Sequence, residues 1–134
     1  MCSSTRAPFD DAVGFYYTED IERTHSFWHD VVGLPLALDQ GACRIYQISD
    51  HGFIGFCTRS EVSADTTNLI ITLVTEDVDN CVTEMKGRGL KLEQEPAFNP
   101  KFRIYHAFFR DPNGYLVEVQ RFEDPQWRSF RAQT

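Results

Sequence analysis

The chain lacks an excess of basic charge and long apolar runs. Its 134 residues include 13 Lys and Arg against 20 Asp and Glu, which gives a net charge of -7. Proteins that bind nucleic acids or anionic membranes carry basic patches, so the charge argues against both kinds of partner. No apolar run approaches the length of a membrane span, and residues 1–4 begin no hydrophobic signal segment. We therefore predict a cytoplasmic protein with no nucleic-acid or membrane partner.

Paired cysteines are also missing. Cys2, Cys43, Cys57 and Cys81 are far apart in the chain and form no Cys-x-x-Cys motif, so neither a zinc site nor a redox motif is supported. We predict that all four are reduced thiols, as is usual in cytosolic proteins, rather than parts of a disulfide framework.

Motifs of several common enzyme classes are absent as well. Gly87-Arg88-Gly89 follows a predicted helix instead of preceding one, so it is not a phosphate-binding loop. No Gly-x-Ser-x-Gly nucleophile motif occurs, and no base is placed to activate Cys57 or Cys81. The sequence therefore supports neither nucleotide binding nor covalent catalysis.

The chain does have the composition of a packed globular protein and an internal repeat. Hydrophobic residues make up 42% and aromatic residues 13%, and the length suits a single domain, residues 1–134. Short segments of the first half recur in the same order in the second, which indicates a duplicated unit. The recurring pairs are residues 18–21 and 75–78, 33–34 and 89–90, 44–46 and 103–105, and 52–54 and 114–116.

Each copy predicts the order β-α-β-β-β. Thr-Glu-Asp precedes each helix, where Thr or Asp can cap its N-terminus, and Gly33 and Gly89 follow the helix ends. We predict an α+β fold with a first module at 9–58, a linker at 59–68, a second module at 69–122 and a tail at 123–134. The first module has strands at 13–17, 36–38, 44–48 and 53–58 and a helix at 21–32; the second has strands at 69–74, 91–94, 102–109 and 115–121 and a helix at 78–88.

The last hairpin places a carboxylate in an otherwise apolar strand. Asp111-Pro112-Asn113-Gly114 has the residues of a tight turn, and Glu118 lies four residues beyond it. A covered glutamate is costly unless it meets water, a partner or a metal ion.

These features resemble the vicinal oxygen chelate superfamily, which includes glyoxalase I, bleomycin-resistance proteins, fosfomycin-resistance enzymes and extradiol dioxygenases. The resemblance covers about residues 9–122 and is carried by the two β-α-β-β-β units and by residues 111–118. It implies that each module curls its sheet into half of a cup, in the glyoxalase/bleomycin-resistance/dioxygenase fold. It also implies a homodimer, since the family often completes its cups by pairing subunits, and the tail residues Trp127 and Phe130 offer an apolar patch for such pairing or for covering a neighbouring part of the chain.

Metal enzymes of this superfamily place ligands on the first and last strands of each module. The resemblance and the repeat offsets put these positions at Val13, Phe56, Ile70 and Glu118. Only Glu118 can bind a metal ion, and a selective site needs three or more protein ligands. We therefore predict no cofactor. His25 and His29 have the spacing of a two-histidine metal face, but no third ligand is evident, so we interpret them as surface histidines.

The resemblance also implies which residues face the cup. His106 is in a register that faces it, and with Glu118 it could form an acid–base pair, so these two are the candidate catalytic residues. Structural roles are equally open: Glu118 could pair with a cation, and His106 could be a hydrogen-bonded core residue. The predicted ligand pocket consists of Phe15, Tyr17, Phe56, Thr72, His106, Phe108 and Glu118.

Three functions remain open at this point. The first is a glyoxalase- or bleomycin-resistance-like protein that binds a small hydrophobic or aromatic molecule in a metal-free cup. The second is a divalent-metal-dependent lyase, isomerase or dioxygenase that uses Glu118 as a ligand. The third is a regulatory or partner-binding module with an empty cup.

Overall fold

The computed structural model describes residues 7–63 and 66–133 and contains two four-stranded sheets and three helices. The two sheets are built from sequential halves of the chain. The first half contributes β1 (Ala12–Thr18), α1 (Ile21–His25, continued by a π-helical segment, Ser26–Val31), β2 (Leu36–Asp39), β3 (Cys43–Ser49) and β4 (Gly52–Thr58). The second contributes β5 (Ile71–Val74), α2 (Val78–Gly87), β6 (Gln94–Asn99), β7 (Ile104–Arg110), β8 (Leu116–Phe122) and α3 (Pro125–Ala132).

The two sheets have the same topology. Their strand orders are β1-β4-β3-β2 and β5-β8-β7-β6, with a parallel pair between the first two strands and antiparallel pairs elsewhere. One side of both sheets packs into a single hydrophobic core that includes Trp28, Phe56, Phe109 and Val119. We call the opposite side of each sheet its concave face, after the cup that the resemblance implies. The predicted α+β fold with two β-α-β-β-β units and mixed sheets is confirmed.

The repeated Thr-Glu-Asp junctions form the helix caps that the sequence predicts. The side chain of Asp20 accepts a hydrogen bond from the backbone N–H of Arg23 at 3.0 Å, and Asp77 accepts one from Asn80 at 3.3 Å. Gly33 and Gly89 have φ values of 93° and 102°, a conformation that side chains other than glycine adopt at a cost. The helix predicted at 21–32 is therefore present, although its second half is π-helical.

The second strand of the second module, β6, lies further along the chain than predicted. It spans Gln94–Asn99 instead of residues 91–94, and it contains Pro96. Proline lacks an N–H donor, but β6 is an edge strand, and its pairing with β7 shifts register between Gln94 and Ala97, where the ladder can omit a bond. Of the linker predicted at 59–68, residues 64 and 65 lie outside the described part of the chain.

Two of the four cysteines form a disulfide, so the prediction of reduced thiols is wrong for them. Cys43 and Cys57 lie directly opposite each other on β3 and β4, with their Cα atoms 4.1 Å apart, and their sulfur atoms are bonded. Because the two cysteines are far apart in sequence, the sequence gives no sign that they pair. The antiparallel register of β3 and β4 places them opposite each other. Cys81 is free, and Cys2 lies outside the described residues. The cysteine pattern therefore no longer supports a cytosolic location.

This disulfide predicts a measurable contribution to stability. Cys57→Ser should lower the free energy of unfolding by about 2–3 kcal/mol in the absence of reductant, because the bond closes a loop with a sequence separation of 14. Urea unfolding measures the change, and Cys81→Ser is the matched control, expected to change the value by less than about 1 kcal/mol. Equal stability of the wild type with and without reductant would contradict the prediction.

Within residues 7–63 and 66–133, no helix combines the length and the apolar character needed to cross a bilayer.

Candidate functional site

The concave face of the second sheet forms an open cavity of ≈ 810 Å³, and α3 supplies one of its walls. Strands β6, β7 and β8 provide the floor, and the loop before β7 adds Phe102. The lining residues are Ile70, Gln94, Asn99, Phe102, Ile104, His106, Phe108, Glu118, Gln120, Phe122, Asp124, Gln126, Trp127 and Phe130.

The alternation of side chains along β7 and β8 divides core from cavity. Val117 and Val119 are buried in the core, so Glu118 and Gln120 point to the opposite face. On β7, Phe108 pairs with Glu118 and His106 pairs with Gln120, and paired residues of an antiparallel ladder share a face. The side chains of two residues from each strand therefore lie next to one another in the floor of the cavity: His106, Phe108, Glu118 and Gln120.

The turn before β8 holds this strand in register. Asp111, only 4% exposed, accepts hydrogen bonds from the backbone N–H groups of Asn113 and Tyr115 at 2.9 and 3.0 Å. It also accepts from the indole Nε1 of Trp28 at 3.1 Å and from the Asn113 amide at 3.0 Å. Burial raises the pKa of the Asp111 carboxyl, and hydrogen bonds from Asn113 and Trp28 act to lower it. The turn is thereby tied to α1, across the boundary between the two halves of the chain.

Glu118 and His106 form a buried, hydrogen-bonded pair. The Nδ1 atom of His106 lies 2.5 Å from Oε2 of Glu118, and the two side chains are 8% and 9% exposed. Thr72 donates to Oε1 of Glu118 at 2.9 Å. With its amide nitrogen facing the carboxylate, Gln120 donates to both oxygens, at 3.1 and 3.0 Å. The carboxylate therefore has donors on both oxygens from the protein itself.

Aromatic rings form the upper walls of the cavity. The rings of Phe122 and Trp127 stack with their centroids 4.1 Å apart, which fixes α3 against the end of β8. Phe108 packs edge-on against the His106 imidazole, with a centroid distance of 4.9 Å. Phe102 and Phe130 remain 61% and 57% exposed, so the cavity presents apolar surface to solvent.

The charges around the cavity are acidic. Among the described residues that line it there are two carboxylates, Glu118 and Asp124, and no Lys or Arg. Asp124 caps α3 by accepting from the backbone N–H of Gln126 and pairs with Arg103 at 3.2 Å. Among the described residues, no Lys or Arg pairs with Glu118, whose partner is the imidazole of His106.

Phe56 does not line this cavity, which corrects its predicted place in the ligand pocket and in the metal pattern. Its side chain is fully buried in the core, 5.4 Å from the Trp28 ring and 5.9 Å from the Tyr16 ring, measured between centroids. The offset that points to Phe56 comes from the match between residues 52–54 and 114–116. An error of one residue moves a strand position to the opposite face of its sheet.

The strand register identifies the true counterpart of Glu118. Thr72 pairs with Glu118 across the parallel β5–β8 ladder, and Phe15, which precedes its Thr-Glu-Asp junction by the same distance as Thr72, pairs with Gly55. The equivalent position is therefore Gly55. A Cβ atom there would lie 2.6 Å from the ring of Phe15, so that ring covers the glycine.

A divalent metal ion, as the resemblance to metal enzymes implies, does not fit these residues. With the corrected register the four positions are Val13, Gly55, Ile70 and Glu118, and three of them carry no ligand atom. Among the described residues, no group of three or more His, Cys, Asp and Glu side chains is placed to hold a metal ion.

The remaining predicted pocket residues divide between the two sheets. Thr72, His106, Phe108 and Glu118 come together on the second sheet, whereas Phe15 and Tyr17 lie on the concave face of the first. They are 51% and 39% exposed, and the Arg59 guanidinium covers the Tyr17 ring at 3.4 Å from its centroid. The cavity draws on one half of the chain.

Sequence reasoning missed Gln120 and assigned no pocket role to the C-terminal helix. Asp124-Pro125 is a recognisable helix start, and Trp127 and Phe130 have the three-residue spacing of one helix face. That signal predicts an amphipathic helix, but the surface it covers depends on tertiary packing.

Comparisons with known proteins agree with this fold. The model of the glyoxalase/bleomycin resistance protein/dioxygenase superfamily matches residues 11–119. In sequence, the chain is 24% identical over 115 residues to the uncharacterized protein YraH of Bacillus subtilis (strain 168), covering 76% of this chain and 90% of YraH.

Two solved structures show the likeness in three dimensions. A glyoxalase/bleomycin resistance protein/dioxygenase from Nocardioides has a TM-score of 0.72 at 13% identity, covering 90% of this chain and 87% of that one. TioX from Micromonospora sp. ML1 has a TM-score of 0.69 at 20% identity, covering 83% of this chain and 97% of that one. The topology and the family match lead to one conclusion: the chain belongs to the glyoxalase/bleomycin resistance protein/dioxygenase superfamily.

Proposed function

We propose that this protein binds a small hydrophobic or aromatic molecule in the cavity of the second sheet, without a metal ion. The observation that carries the proposal is an aromatic cavity of ≈ 810 Å³ with one buried polar cluster in its floor. Ligand sites typically combine apolar walls of this size with a few convergent polar groups.

The walls favour a planar ligand. Phe108, Phe122 and Trp127 line the cavity, and contacts between aromatic rings contribute about 0.5–1.5 kcal/mol beyond the burial of area. The absence of Lys and Arg from the described lining residues disfavours carboxylate and phosphate ligands.

The charge and hydrogen bonding of Glu118 support the metal-free interpretation over the metal-dependent one. Both carboxylate oxygens already accept hydrogen bonds from Thr72, His106 or Gln120. A metal ion would have to displace these donors while gaining no second ligand from Val13, Gly55 or Ile70. The homodimer that the family resemblance implies stays a prediction, supported by the exposed apolar side chains on the first sheet.

Binding of a neutral aromatic probe tests the proposal. We expect 2-methoxynaphthalene to bind saturably and to raise the melting temperature. Phe108→Ala should weaken its binding about tenfold, since the substitution removes a ring from the cavity floor. The change in probe fluorescence anisotropy measures the affinity.

Phe15→Ala is the matched control, because it removes the same ring from the concave face of the first sheet. We expect its affinity for the probe to stay within about twofold of the wild type. Equal losses in the two variants would mean that the ligand site spans both sheets. No saturable binding to the wild type would contradict the proposal.

Metal analysis provides a separate test. We expect the purified protein to contain far less than one equivalent of Zn, Ni, Mn or Fe, and we expect EDTA to leave probe binding unchanged, because Glu118 is the only ligand at the four family positions. Stoichiometric metal that disappears in Glu118→Ala would favour the metal-dependent enzyme instead.

A further inference from the structure

In the buried Glu118–His106 pair of the cavity floor, the position of the proton determines which ligands can form a hydrogen bond with it. Glu118 accepts hydrogen bonds from two other side chains, Thr72 and Gln120, the environment of an ionised carboxylate, which can only accept hydrogen bonds. The atom of His106 that faces it is Nδ1. Because the carboxylate must accept, Nδ1 must carry the proton.

Fixing the proton on Nδ1 determines what the rest of the ring can do. In a neutral imidazole with Nδ1 protonated, Nε2 carries a lone pair and acts as an acceptor. Within residues 7–63 and 66–133, no hydrogen-bond partner of Nε2 is found, and Nε2 is not among the atoms that are buried without a partner. His106 nevertheless lines the cavity with its side chain only 8% exposed.

Among the described lining residues, the only carboxylate besides Glu118 is Asp124, and there is no Lys or Arg. With a neutral imidazole, the Glu118–His106 pair carries one negative charge, and Asp124 is already paired with Arg103. An anionic ligand would therefore meet an acidic floor without a compensating cation. A ligand with an O–H or N–H donor would meet an unpaired acceptor.

We infer that His106 Nε2 is the ligand-recognition atom of the cavity and that it accepts a hydrogen bond from a neutral, donor-bearing aromatic molecule, such as a phenol or an aryl amine. Glu118 is a positioning residue: it holds the imidazole in the Nδ1–H tautomer and does not touch the ligand itself. This inference rests on the proposed function, and it adds the chemical class of the ligand and the roles of the two residues.

Three naphthalenes of similar size separate the possibilities. 2-Naphthol carries a donor, 2-methoxynaphthalene has lost it, and 2-naphthoate is an anion. At neutral pH we expect the wild type to bind 2-naphthol about tenfold more tightly than 2-methoxynaphthalene and at least about tenfold more tightly than 2-naphthoate.

Substitution of His106 tests which atom makes the discrimination. In His106→Phe, which keeps a ring in the floor, the preference for 2-naphthol over 2-methoxynaphthalene should fall to within about twofold. Circular dichroism and cooperative thermal unfolding show independently that the variant is folded. A preference that survives in His106→Phe would overturn the inference.

The positioning role of Glu118 has a readout of its own. Nitrogen-15 NMR of the imidazole should show the Nδ1–H tautomer in the wild type and a mixture of tautomers in Glu118→Gln, with a smaller preference for 2-naphthol. An Nε2–H tautomer in the wild type would refute the assignment of the proton to Nδ1. Equal binding of the two neutral probes would refute the inference but leave the proposed function intact, whereas binding of neither would remove the proposed function itself.

Discussion

Replacing Asp111 with Ala is expected to lower the free energy of unfolding by about 3–5 kcal/mol, and the melting temperature by roughly 10 °C or more. The substitution removes the acceptor for two backbone N–H groups, the Trp28 indole and the Asn113 amide. Each buried donor left without a partner costs about 1–3 kcal/mol. Urea unfolding followed by circular dichroism measures the loss.

Asp50→Ala is the matched control for this change. Asp50 also lies in a turn between two antiparallel strands, but it is exposed, so its substitution should change stability by less than about 0.5 kcal/mol. Similar effects of the two substitutions would show that the Asp111 hydrogen bonds do not tie the turn to α1.

Replacing Phe56 with Ala should destabilise the protein by about 3–5 kcal/mol and should leave the probe affinity of the folded fraction within about twofold of the wild type. The ring is fully buried between Trp28 and Tyr16, so its removal leaves a cavity in the core. Thermal unfolding in the presence and absence of 2-methoxynaphthalene measures both quantities.

Phe15→Ala is the control for stability as well as for binding. Its ring lies on the solvent-facing side of the same sheet and is 51% exposed, so we expect a loss below about 1.5 kcal/mol. A small destabilisation by Phe56→Ala accompanied by a large loss of probe binding would restore Phe56 to the ligand pocket and contradict its place in the core.

Much of the site was accessible from local sequence patterns. The Asp-Pro-Asn-Gly turn fixes where β8 begins, and period-two alternation then puts Glu118 on the face opposite Val117 and Val119. The resemblance to the family, rather than alternation alone, assigns His106 to that face. The contact between these two side chains follows once β7 and β8 form a hairpin, because the turn sets a register in which they are diagonal neighbours.

The error at Phe56 has a physical origin. Repeat offsets measured between turns carry an uncertainty of one residue, and in a strand one residue reverses the face. Only the ladder between β1 and β4 shows that Gly55 is the counterpart of Glu118. The Cys43–Cys57 bond was missed for a related reason, since it depends on which residues the β3–β4 register places opposite each other.

The sequence by itself determined the α+β fold with its duplicated units, the helix caps, and the presence of a carboxylate and a histidine on one face of the last hairpin. These depend on short-range chemistry: turn residues, capping side chains and the alternation of a strand. Tertiary structure alone decided that the cavity belongs to the second sheet and that α3 walls it. It also decided that Glu118 is already satisfied by its neighbours, because those contacts join segments whose relative positions local patterns do not specify.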